Sequence, residues 1–189
     1  MGKKITVARA ISVIGHPFAT SLMLVLVGVW SNQGNGRAIG AAVAIAVVFV
    51  PVWFFMRNRL ATGRWQTIDA SAARDRPALF AVGLAAAAGL ILFFLYVAPN
   101  AEVARGMTVV VAMLCAAAVM NRWIKLSLHL AFAAFAAVIL LKLHPAIGVI
   151  ALLLLPLLAW SRLKLGRHTA WEAAGGVLLG AAMAGIELM

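Results

Sequence analysis

Acidic residues are scarce in this sequence: five Asp and Glu stand among 189 residues, and all charged types together make up 11%. A soluble domain carries about a quarter charged residues, so there is too little charge here to cover a water-facing surface. The single cysteine, Cys115, excludes a disulfide scaffold. Six prolines and sixteen glycines are too few for a low-complexity chain. No segment alternates apolar and polar residues as a half-buried strand does. What is abundant is apolar: 65% of the residues are hydrophobic, with mean hydropathy +1.05. That composition excludes a disordered chain. It predicts an all-α integral membrane protein forming a single domain over residues 1–189.

Apolar runs near the ~20 residues a bilayer requires occur at Ala8–Trp30, Ala38–Met56, Ala78–Ala98, Val103–Met120 and Ala170–Ile186. Leu128–Trp160 is apolar almost throughout but interrupted at Lys142-Leu143-His144-Pro145. Proline removes a backbone donor and biases the residue before it away from helix. The stretch therefore predicts two short helices in a tight hairpin, each of about 15 residues against the ~20 of an ordinary span. A compact bundle of six to seven transmembrane helices results. The opening Met1-Gly2-Lys3-Lys4, followed by apolar residues, looks like a signal peptide. Its hydrophobic run is too long for one.

Sixteen Lys and Arg against five acidic residues give a formal charge of +11. In a membrane protein this excess is read loop by loop, and no nucleic-acid partner is expected. With seven spans, the N-terminus shares a face with the loops at 57–77, 121–127 and 161–169. That face carries Lys3, Lys4, Arg9, then Arg57, Arg59, Arg64, Arg74, Arg76, then Arg122, Lys125, then Arg162, Lys164, Arg167. Only Arg37, Arg105 and Lys142 fall on the other. The positive-inside rule places the richer face in the cytoplasm, and the bilayer is the cell (inner) membrane. Trp53, Trp65, Trp123, Trp160 and Trp171 lie near the same face, as interfacial aromatics do. Basic loops of this kind serve topology and need no ligand.

The same loops hold the residues capable of chemistry. His168 and Glu172 are four apart, so on a helix they share a face. A carboxylate there can hold one imidazole nitrogen and fix the tautomer. Arg162 brings a planar guanidinium suited to phosphate. Thr169-x-x-Glu172 is equally a capping box for the final helix. Ser127, in Ser127-Leu128-His129, sits where an N-cap belongs, and a helix start is also an anion site. Pro77, after Arg76, suits the first turn of the next span. His16 and His144 each precede proline and read as helix-end or packing histidines. Gly176, Gly180 and Ala184 form a small-residue face better explained by close packing inside one bundle than by dimerisation. The oligomeric state stays open.

Together these residues carry a resemblance. Ser161-Arg162-x5-His168-x3-Glu172 closely resembles the third motif of the type-2 phosphatidic acid phosphatase (lipid phosphate phosphatase) superfamily, S-R-x5-H-x3-D. Ser127-Leu128-His129 looks like its second motif, P-S-G-H, and Arg76-Pro77 like the end of its first, K-x6-R-P. The order agrees, and the motifs cover residues 69–172. Asp69 stands where the first motif has lysine, Leu126 and Leu128 replace the proline and glycine of the second, and Glu172 replaces aspartate. The resemblance implies a membrane lipid phosphatase that uses neither metal nor cofactor. It would hydrolyse a lipid phosphate or polyprenyl (di)phosphate through a phosphohistidine. By the same resemblance His168 is the nucleophile, Glu172 orients it, and His129 is the general acid and base. Arg76, Ser127 and Arg162 would hold the phosphate, with Arg64, Arg74 or Lys125 standing in for the missing lysine. Two alternatives remain: a non-catalytic transport or structural membrane protein, and a metal-dependent membrane transferase. The transferase needs a carboxylate cluster for Mg²⁺, and only Asp69 and Asp75 lie in the relevant loop.

Overall fold

Proline and glycine punctuate an otherwise continuous helical chain. The computed structural model describes residues 2–70 and 72–189; Met1, with which the signal-like start opens, and Ser71 lie outside the described residues. Among the described residues there is no strand. The α-helices are α1 Gly2–Ile14, α2 Pro17–Gln33, α3 Asn35–Ala61, α4 Arg76–Leu92, α5 Ala101–Met120, α6 Leu128–Leu143, α7 Pro145–Lys164 and α8 Ala170–Glu187. A π-helical stretch, Phe93–Val97, extends α4.

The hairpin expected at His144-Pro145 is formed. Helix α6 ends at Leu143, Pro145 opens α7, and the two helices, of 16 and 20 residues, pack against each other. Gly148 permits the approach, since a Cβ there would lie 2.2 Å from the Leu141 Cα. The single span expected at Ala8–Trp30 is instead two helices, bent by 46° at the break. The cause is local. Pro17 takes the first helical position of α2, where its missing N–H is not needed, and His16 caps the helix by accepting from Phe18 N at 3.3 Å.

Six helices form a closed ring. Helix α2 packs on α3, α3 on α4, α4 on α5, α5 on α8, α8 on α6, and α6 back on α2. Helix α7 lies outside the ring against α6 and carries α1 on its flank. The small-residue face of α8 is used inside the bundle, as expected. Cβ atoms on Gly176 and Gly180 would lie 2.5 Å from Ser127 O and 2.0 Å from Ala131 O, so α6 and α8 touch backbone to backbone.

Helices α3, α4 with its extension, α5 and α7 are each long and apolar enough to cross a membrane, and the bent α1–α2 pair makes a fifth candidate. Their outward faces are apolar too: Val47 and Phe54 on α3, Leu92 on α4 and Leu153 on α7 are each more than half exposed. A helix apolar all round is stable in lipid rather than in water. Of the five tryptophans assigned to the interface, Trp53, Trp123, Trp160 and Trp171 are exposed. Trp65 departs from that reading. It is buried edge-on to Phe55 at 5.7 Å, in a small core with Val52, Met56 and Ala70 that anchors the α3–α4 loop.

Candidate active site

Four pieces of chain meet at one end of the ring: the α1–α2 break, the α3–α4 loop, the start of α6 and the α7–α8 loop. Helix α7 stops because Gly166 adopts φ +64. Its N–H donates to Leu163 O at 3.0 Å, and Arg167 N–H donates to Arg162 O at 3.0 Å. This paired closure is a Schellman turn, which needs a left-handed residue at the position Gly166 holds. It reverses the chain and sets His168 directly before Thr169, the N-cap of α8. There Thr169 Oγ1 accepts from Glu172 N at 3.3 Å, and Glu172 Oε2 accepts from Thr169 N at 3.0 Å. The capping box exists. The same Oε2 lies 3.2 Å from His168 Nδ1 and 3.5 Å from Lys125 Nζ. One carboxylate oxygen therefore caps the helix and holds the imidazole.

Burial, together with the positive charges of Arg76, Arg162 and Lys125, pushes the His168 pKa down to about 3, against the pull of Asp69. The ring is neutral at physiological pH. With the proton on Nδ1 donated to Glu172, Nε2 keeps its lone pair.

Two buried arginines flank this histidine's loop. Arg76, the first residue of α4, donates from Nη1 to Leu126 O at 2.6 Å, tying the α4 start to the segment before Ser127. Arg162, in the last turn of α7, donates from Nη1 to Ser12 Oγ at 2.6 Å and from Nη2 to Asp69 Oδ2 at 2.5 Å. In both, Nε is buried and has no partner among the described residues. Leaving a buried donor unsatisfied costs about 1–3 kcal/mol, and an incoming anion removes that cost. Ser127 precedes α6 at the N-cap position, but its side chain makes no cap bond. Its N–H donates to Glu172 O at 3.0 Å, and its hydroxyl is buried with no partner among the described residues. His129 lies in the first turn of α6, its ring edge-on to that of His16 with centroids 5.0 Å apart.

One cavity collects these groups. His16, Asp69, Arg76, His129, Arg162 and His168 line its charged end, and most of its remaining wall is apolar, with Phe49, Met56, Phe80 and Leu90 among its side chains. It spans about 970 Å³, its open mouth included. No protein-family model, curated protein or solved structure matches this chain.

The structure brings His168, Glu172, His129, Arg76 and Arg162 together from widely separated positions. Ser127 is adjacent, through its N–H bond to Glu172, but is not among the residues lining the cavity. Of the three stand-ins for the absent lysine, Arg64 and Arg74 are exposed, and Arg74 pairs with Asp75 at 3.8 Å. Lys125 Nζ donates to Arg167 O at 2.9 Å, holding the α7–α8 loop. Asp69, besides its bond to Arg162, lies 4.0 Å from Arg167 Nη1. It is followed by Ala70 at φ +46, wholly buried in a conformation rare for a residue with a Cβ. Two contributors escaped the sequence reading. His16 has the helix-end role expected of it and also faces the cavity. Ser12 binds Arg162 from α1. A His-Pro pair at a helix start was the only available signal, and it does not reveal which loops the break lies beside.

Proposed function

We propose that this chain is a membrane lipid phosphatase acting through a phosphohistidine. The observation that carries the reading is His168, neutral and held at Nδ1 by Glu172, sharing the charged end of an apolar cavity with His129 and two buried arginines whose Nε donors have no partner among the described residues. In the first step His168 Nε2 attacks phosphorus and the bond to the lipid oxygen breaks, that oxygen taking a proton from His129. In the second, water gives a proton to His129 and attacks the phosphohistidine. The N–P bond breaks and inorganic phosphate leaves. Arg76 and Arg162 hold the phosphoryl oxygens as charge develops, and Ser127, outside the cavity lining, ties its N–H to the Glu172 backbone. Asp69, where K-x6-R-P has lysine, supplies no phosphate contact and instead fixes the Arg162 fork.

In this reading α2 to α8 make seven crossings, with α1 flanking the site face. The thirteen basic residues of that face put it in the cytoplasm, at the inner membrane. The test is phosphate release from a panel of lipid phosphates and diphosphates, with and without EDTA. Release is expected to survive EDTA and to vanish in His168→Ala, while that variant still inserts and elutes as a folded bundle. Retention of more than about a tenth of wild-type turnover would remove His168 as nucleophile. A folded wild-type protein that released nothing would favour the non-catalytic alternative.

A further inference from the structure

The cavity at the site continues into the bundle. A second cavity, about 950 Å³ with its open parts, shares Ser21, Met107, Val110 and Phe132 with the first. It extends to the opposite end of the ring, where Glu102, Arg105 and Glu187 line it. The two meet at the four shared residues, one reaching the site and the other the Arg105–Glu187 end. Along α6 the path from His129 past Phe132 to Leu143 rises about 21 Å. Between its ends the wall is apolar, as Leu114, Phe135 and Ile139 illustrate. At the far end Arg105 Nε donates to Glu187 Oε1 at 3.0 Å, joining α5 to α8. A lumen that is charged at one end, apolar along its length and bridged by an ion pair at the other fits a phosphate group carrying one long apolar chain. It does not fit water or an ion, which need polar partners along the whole path.

We infer that this lumen holds the apolar chain of the substrate inside the helix ring, so that the substrate is a single-chain lipid phosphate. Met107 and Val110, at the waist shared by the two cavities, set the chain length accepted. This rests on the phosphatase reading for the identity of the head group. Four side chains meet at the waist, with Met107 and Val110 more than nine-tenths buried. In this proposal one chain passes between them, and the two chains of a diacyl lipid do not. The selectivity is steric: a ring of packed helices cannot widen by a chain's width without losing the α2–α6 and α6–α8 contacts that close it.

Two experiments test this. In the first, kcat/KM for phosphate release is measured on butyl phosphate, hexadecyl phosphate and dioleoyl phosphatidate, for wild type and Val110→Trp. Hexadecyl phosphate is expected to be the best substrate. The tryptophan should cut its kcat/KM by about tenfold or more while leaving butyl phosphate within about twofold. Equal losses on both, or phosphatidate turned over as well as hexadecyl phosphate, would overturn the inference. The second needs neither turnover nor that variant. His168→Ala protein is photolabelled with hexadecyl phosphate carrying a terminal diazirine, and the adducts are mapped by mass spectrometry. Adducts on the lumen walls around Val103, Ile139 and Leu143 support the inference, and adducts confined to the outward Leu153, Leu154 and Leu178 refute it. Lumen labelling without release from any substrate would sink the phosphatase reading alone. Release with outward labelling would sink the lumen alone.

Discussion

Glu172 Oε2 serves two donors at once, Thr169 N–H and His168 Nδ1, so its two roles separate by substitution. Glu172→Gln keeps an acceptor for the cap but loses the charge that favours the imidazolium as it forms. Thermal stability is expected to stay unchanged while kcat falls by about tenfold or more. Glu172→Ala also loses the cap, at about 0.5–2 kcal/mol. Equal destabilisation in both variants would contradict this division. The low pKa of His168, about 3 in the folded chain against 6.5 unfolded, has a sign that can be checked. Between those values the unfolded chain binds the proton and the folded one does not, so stability falls as pH drops from 6.5 toward 3. Urea titrations across that window should show a shallower decline in His168→Asn than in wild type. His16→Asn keeps an N-cap for α2 but removes the ring beside His129. Unfolding should be unaffected and phosphate release reduced, whereas undiminished release would leave His16 a cap and nothing more.

Among the elements, the α7–α8 loop is the most exposed to single changes. Gly166 has open space around its Cα, so Gly166→Ala meets no clash, only the cost of a left-handed conformation. A loss of about 1–2 kcal/mol follows, measurable as a lowered Tm in detergent. Activity should fall with it, since the turn delivers His168. Gly180 is the opposite case, an ordinary helical glycine whose missing Cβ would lie 2.0 Å from a backbone oxygen of α6. Backbone cannot yield as a side chain does. Gly180→Ala should force α8 from α6 and cost about 1–3 kcal/mol. A variant as stable as wild type would mean that the two helices lie farther apart.

For the whole molecule, site assembly depends on the parity of crossings. Because α6 and α7 double back at His144-Pro145, the α7–α8 loop returns to the end that holds Arg76 and His129. One long helix there would carry His168 to the opposite face. The proposed sidedness is tested with single cysteines in a Cys115→Ala background. Asn35, Ala101 and Gln66 are suitable because each is exposed, whereas Asn100 is buried and caps α5. An impermeant thiol reagent on intact cells is expected to label Asn35→Cys and Ala101→Cys, and to reach Gln66→Cys only after permeabilisation. The reverse pattern would invert the orientation.

The amino-acid sequence by itself determined the helical class, the hairpin at Pro145, the small-residue contact face of α8 and the polar residues that gather at one end. Each follows from signals carried within a few residues: apolar runs, proline and glycine breaks, and polar groups at helix starts. Only the tertiary structure decided that the span at Ala8–Trp30 bends so that His16 meets His129, and that Trp65 turns inward. It also decided that Asp69 locks Arg162 and that six helices close into a ring. Those outcomes depend on the angles and order in which helices pack. Apolar side chains drive burial without direction, and they leave that choice to the fit of surfaces far apart in the chain.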